Sequence, residues 1–179
     1  MWELQTPVRV KLIIGILAAD STCLEAAKET IKEKIGDIDM ESEIWPFTQT
    51  TYYNSETGDK ILRQFVTIEK TIAPGRLAKI KLKTNKLEQT LAAKLALSLP
   101  RPVNFDPGII EPSKLILAST KNFSQRIYIG KKIYAEVTLI YDRGHWKTFD
   151  YTYPDYRQES YFDFFSKVRN RLVEQLKIK

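Results

Sequence analysis

Val8-Arg9-Val10-Lys11-Leu12-Ile13-Ile14-Gly15-Ile16-Leu17-Ala18-Ala19-Asp20-Ser21-Thr22-Cys23-Leu24-Glu25 decides how the chain is read. Val8, Val10, Leu12 and Ile14 alternate with other residues, and the apolar run that continues to Ala19 is far too short to span a bilayer. Arg9 and Lys11 in front of it give a loose likeness to a secretion signal. Asp20-Ser21-Thr22 stops the run, however, and Thr22-x-x-Glu25 has the spacing of a capping box that opens a helix to about Ile35. A buried strand running into a helix accounts for the whole stretch. A phosphate loop would sit in the same place, but Asp20 and Ser21 stand where G-x-x-x-x-G-K-[ST] needs glycine and lysine. They read as strand-end and helix-cap residues.

Working outward, Gly36 is a natural C-cap, and Ile38 to Phe47 and Ile61 to Ile72 predict two more strands. Between them lies a polar segment, Thr48 to Gly58, holding Tyr52, Tyr53 and Glu56. Pro74 suits the first turn of a second helix, in which Leu77, Ile80, Thr84, Leu87, Leu91 and Leu95 form one stripe. Arg76, Lys79, Lys83, Lys86 and Lys94 form a second stripe about 100° round the helix. Asn104-Phe105-Asp106-Pro107-Gly108 predicts a turn, and Lys114 to Ser119 a short strand. Arg126 to Ile129 and Ile133 to Tyr141 flank Gly130-Lys131-Lys132 as a hairpin. Strand alternation puts Tyr134, Glu136, Thr138 and Ile140 on one hairpin face and Ala135, Val137 and Leu139 on the other. A last helix carries Tyr161, Phe164, Phe165, Val168, Leu172 and Leu176.

This order predicts one α+β domain over residues 1–179. Its preferred form is a ferredoxin-like mixed or antiparallel sheet with helices on one face, plus a C-terminal hairpin and helix. An open barrel of the CYTH kind is the rival. The chain is 43% hydrophobic and 28% charged, ordinary for a globular protein. One cysteine, Cys23, and one histidine, His145, imply a cytoplasmic protein held by packing, with neither a disulfide nor a Cys/His zinc site. The net charge of +6 is local: Pro74 to Arg101 holds seven basic residues and only Glu88 as an acid, and the remainder sums to zero.

Four groups of residues could carry chemistry. Lys114, Ser119, Arg126, Tyr128, Glu136 and Thr138 surround the hairpin, where Arg126 and Glu136 make either an exposed cross-strand ion pair or a polar ligand site. Asn104 and Asp106 could orient a substrate or bind Mg²⁺, or simply close a turn. Tyr151, Tyr153 and Arg157, with Tyr52, Tyr53 and Glu56, suit stacking and hydrogen bonding, or cover a core edge. The basic helix could meet RNA or protein, although no RNP1 pattern accompanies it and small-ligand binding is favoured over nucleic acid. His145 has no serine or cysteine partner for a hydrolase triad.

Several motifs in order resemble an uncharacterised prokaryotic family, domain of unknown function four-four-one-six. They are Tyr52-Tyr53-Asn54-Ser55-Glu56-Thr57-Gly58, Asn104-Phe105-Asp106-Pro107-Gly108, Lys114 to Lys121, Arg126-Ile127-Tyr128, Tyr134 to Leu139 and Thr152-Tyr153-Pro154-Asp155-Tyr156-Arg157. The resemblance implies a small bacterial or archaeal cytoplasmic protein and brings no activity. Some relatives carry a GTP-binding description, for which this chain has no Walker motif. The family pattern often has a histidine before the arginine where this chain has Gln125, which argues against a histidine-based step there.

Three functions follow as expectations. The first is a binding domain for a small anionic or nucleotide-like molecule, with Arg126, Lys114 and Arg157 on the anionic group, Asn104 beside it, and Tyr52, Tyr53 and Tyr153 framing the site. The second is an enzyme using Asp106 or Glu136 as general base or divalent-metal ligand. The third is an RNA- or protein-interaction module using helix 74–97. No membrane partner is expected.

Overall fold

The computed structural model describes residues 2–50 and 53–177. The chain runs β1 (Lys11–Ala18), α1 (Ser21–Lys34), β2 (Ile38–Glu41), β3 (Trp45–Pro46), α2 (Asn54–Thr57), β4 (Leu62–Ile68), α3 (Leu77–Leu95), β5 (Val103–Glu111), β6 (Lys114–Ser119), β7 (Ile127–Tyr128), β8 (Tyr134–Asp142), β9 (His145–Lys147) and α4 (Glu159–Lys177). Short 3-10 turns, Pro74–Arg76 and Pro154–Arg157, lead into α3 and α4. Every strand pairing is antiparallel, in the order β2-β4-β1-β5-β6-β8-β7, with β3 also on β4 and β9 on β8.

All eight residues of β1 are buried, because helices cover both of its faces. Leu12, Ile14 and Ile16 pack with Leu24, Ala27 and Ile31 of α1 and Leu77, Ile80 and Leu91 of α3. One residue out of phase, Ile13 joins Phe65, Ile110, Leu115 and Leu139 under Tyr161, Phe164 and Phe165 of α4. Each such side chain contributes about 1.5–3 kcal/mol by leaving water. The apolar run at the N-terminal side of the chain is thus a core strand. Among the described residues no helix is long and apolar enough to cross a membrane.

Several sequence expectations change. The first helix is capped by Asp20, whose carboxylate accepts from Cys23 N at 2.8 Å, two residues earlier than the Thr22 box. The strand expected over Ile38–Phe47 is broken: Ser42 N donates to Phe65 O and Ser42 Oγ accepts from Phe65 N, both at 2.9 Å. Pairing with β4 resumes at Trp45↔Arg63. Asn104 to Gly108 is no turn but the first half of β5, paired residue for residue with Leu17 to Ile13. In β8 the register moves from Ile116↔Val137 to Leu115↔Leu139, so Thr138 is an inserted residue. That bulge carries Leu139 to the α4 side, whereas Ala135 stays with α1 and α3. Strict alternation had put both on one face.

Candidate functional site

The sheet opens where β5 and β6 part. Their ladder begins at Gly108↔Leu117 and runs to Glu111↔Lys114, leaving Val103 to Pro107 without β6 as a neighbour. Pro107 has no N–H to offer a ladder. The free edge is completed by α3 instead: Phe105 N donates to Glu88 Oε1, and Phe105 O accepts from Lys81 Nζ, each at 2.8 Å. Lys81, Thr84 and Glu88 lie a turn apart on the buried side of α3. Glu88 Oε2 also accepts from Arg101 Nε at 3.0 Å and Nη2 at 2.7 Å, and Arg101 Nη2 bonds Asn104 Oδ1. Burial raises the Glu88 pKa, more than the charges of Lys81 and Arg101 lower it.

A cavity of about 710 Å³ fills this opening. On its α4 side lies Arg63, nearly buried, with Nη1 3.2 Å from Asp106 and Nη2 2.8 Å from Asp155. The rings of Phe47, Phe65 and Tyr156 surround its guanidinium at 5.3, 5.3 and 5.7 Å. Gly15 makes room: a Cβ there would stand 2.8 Å from Arg63 Nη1 and 3.2 Å from Tyr156 OH. Burial works to raise the pKa of both carboxylates. For Asp106 the charges of Arg63 and Lys81 win and hold it below the ordinary value; for Asp155 burial wins and raises it.

The opposite rim is built around Arg126. Its Nε donates to Glu136 Oε2 at 2.8 Å, its Nη1 to Ser119 Oγ at 3.0 Å and Lys121 O at 2.9 Å, and its Nη2 to Tyr153 OH. The pair is buried, with 5% and 2% of the two side chains exposed, so it is not a solvated cross-strand pair. Among the described residues seven buried side-chain polar atoms lack a hydrogen-bond partner. Four of them, Arg63 Nε, Asn104 Nδ2, Glu136 Oε1 and Tyr156 OH, belong to residues of this cavity. Buried polar groups usually find partners, so the clustering of four such atoms here makes this cavity the candidate site.

Of the residues expected from sequence, Asn104, Asp106, Arg126, Glu136, Tyr53 and Tyr153 line the cavity together. Lys114 does not; it pairs with Glu111 at 2.5 Å at the far end of β6. Arg157 does not either, since it donates to Thr152 O and Asp150 O and ties down a turn. Tyr52 lies outside the described residues. Arg63, Lys81, Arg101 and Asp155 line the cavity and were missed. Of these Arg63 carried a signal, since it interrupts an apolar strand run, and so did Glu88, which lies behind the wall and is the lone acid of a basic segment. No group of three or more His, Cys, Asp or Glu placed to hold a metal ion occurs among the described residues.

Residues 8–172 match the family described as Domain of unknown function (DUF4416), and the chain belongs to it. No curated protein and no solved structure matches the chain.

Proposed function

We propose that this member of the DUF4416 family binds a small anion-bearing molecule of about nucleotide size in the opening between β5 and β6. The observation that supports this best is the gap itself. Two side chains of α3, Lys81 and Glu88, replace the missing strand at Phe105 and leave a lined cavity of about 710 Å³, within the usual range for ligand sites.

The geometry favours Lys81, Arg101 and Asn104 over Arg126 for the anion-binding role. Arg126 is held by four acceptors. Among the described residues Lys81 Nζ has one hydrogen bond, to Phe105 O, and Arg101 Nη1 has one acidic neighbour, Glu56 at 3.6 Å. Asp106 and Glu136 are each engaged by a guanidinium, which supports positioning over proton transfer. The β1–α1–β2–β4–α3–β5 portion supports a ferredoxin-like reading, since β2-β4-β1-β5 is one antiparallel block with α1 and α3 on one side. The lone cysteine, buried, supports a cytoplasmic location.

A thermal-shift series with pyrophosphate, citrate and nucleoside monophosphates tests the reading. A ligand at a hundred times its dissociation constant stabilises by about 2.7 kcal/mol. The gain should vanish in Arg101→Gln and persist, from a lower starting temperature, in Arg126→Lys. Gains that survive Arg101→Gln and Lys81→Met together would place the binding elsewhere.

A further inference from the structure

The outward side of α3 is a separate feature from the cleft. Arg76, Lys79, Lys83, Lys86 and Lys94 are all exposed, whereas Glu88, the only acid between Pro74 and Arg101, is turned into the core with Lys81. None of the five exposed cations has an acidic partner among the described residues. The other long helices differ. On α1, Lys28 pairs with Glu25 and Lys34 with Glu33; on α4, Arg171 pairs with Glu174. Arg76–Lys79, Lys79–Lys83 and Lys83–Lys86 are neighbours three or four residues apart, a spacing at which like charges weaken a helix. A face kept only for solubility would mix its signs, as α1 and α4 do.

We infer that this face of α3 binds the phosphodiester backbone of double-stranded RNA. The row from Lys79 to Lys94 runs about 22 Å along the helix and stays within one narrow sector of it. Single strands are held by aromatic platforms, and α3 contains no aromatic residue. Base readout of B-form DNA needs an element that enters the major groove, so duplex DNA would meet this face through its phosphates alone. Here α3 lies beside α1 in one layer over the same core, and Lys83 Nζ reaches Lys34 O at the end of α1. A broad layer of this kind suits the wide, shallow minor groove of A-form RNA, which is recognised by shape and by backbone contacts. Leu82, at 36%, is the one large apolar side chain exposed on α3, too little for insertion into a membrane.

The test is fluorescence anisotropy of the full chain with labelled RNA duplex of about 20 base pairs, against DNA duplex and single strands of the same sequence. Salt is varied between about 50 and about 200 mM. Duplex RNA should bind most tightly, and affinity should fall steeply with salt. The variant Lys79→Gln/Lys83→Gln/Lys86→Gln should lose at least about tenfold and flatten the salt slope by roughly two to three. Lys147→Gln/Lys167→Gln, exposed elsewhere, should change little. Melting curves of each variant separate lost binding from lost folding. Absence of binding at the lower salt overturns the inference, as does triple-variant affinity equal to the parent's. Tighter binding to duplex DNA or to single strands overturns the assignment to duplex RNA. Because the cleft is untouched by these substitutions, the small-ligand thermal shifts stand or fall independently.

Discussion

One face of the sheet is oil under the aromatic first half of α4 and charge beyond it, although the same three strands cross both halves. On β4 the step from Phe65 to Arg63, on β1 from Ile13 to Gly15 and on β5 from Ile110 to Asp106 passes from one half to the other. Under α4, Phe65 meets Tyr161, Phe164 and Phe165 with ring centroids 4.9, 6.4 and 5.0 Å away. Beyond the helix, Asp155 and Tyr156 of the 3-10 turn meet Arg63 instead. Both halves are dry at the strand, with Phe65 at 1% exposure and Arg63 at 2%. Apolar contacts tolerate a missing neighbour at a graded cost, while buried charges depend on their partners being present.

That contrast breaks first at Arg63 and Phe65. Phe65→Ala removes a ring from the aromatic cluster and should cost about 3–5 kcal/mol in urea unfolding. Arg63→Ala should cost about as much, because it leaves Asp106 and Asp155 facing each other unpaired. The two differ in rescue. Adding Asp106→Asn and Asp155→Asn to Arg63→Ala should restore at least half of the loss, whereas the same additions to Phe65→Ala should deepen it. Equal behaviour in the two backgrounds would mean that the charged half is held by packing alone.

Glycine sharpens the comparison next. Gly15→Ala pushes a methyl group toward Arg63 Nη1 and Tyr156 OH, and should cost about 1–3 kcal/mol by overpacking. Ile13→Val, two residues away in the apolar half, should cost about 0.5–1.5 kcal/mol. Gly15→Ala should also disturb any ligand response of the cavity, which Ile13→Val should leave intact. A Gly15→Ala protein with parental stability and parental ligand response would show that Arg63 moves aside freely.

Much of the apolar half was legible in the sequence. The Leu77–Leu91 and Tyr161–Val168 stripes declare their buried sides by period, and the run after Val8 declares itself a core strand by its unbroken apolar length. The Arg126–Glu136 pair could be guessed because both residues flank one hairpin, close in sequence. The rest of the cavity could not, because its partners are far apart: Arg63 and Asp155 are ninety-two residues distant and meet only through sheet order. Asp106-Pro107-Gly108 shows a second limit. Its residues are those of a turn, yet β1 pairs with every one of them, and the proline acts as the point after which β6 can join. Local chemistry recorded that the chain does something unusual there, without saying whether it bends or lets a sheet open.

The smallest expected effect separates the two carboxylates that share Arg63. Asp106 is held below the ordinary carboxylate pKa in the folded protein, so its contribution to stability is present above that ordinary value and is lost as pH falls through the folded pKa. Asp155 is raised, so its contribution is full below the ordinary value and disappears as pH rises through the folded pKa. Urea midpoints of the parent, Asp106→Asn and Asp155→Asn, taken from about pH 3 to about pH 7, read this directly. The deficit of Asp106→Asn should grow toward neutral pH, while that of Asp155→Asn should shrink. Deficits moving in the same direction would mean that Arg63 treats the two acids alike, and that Asp106 has no privileged place on the cavity wall. Opposite slopes would make Asp106 the permanently ionised partner, tying Arg63 to the cavity, and Asp155 the one that anchors the turn before α4.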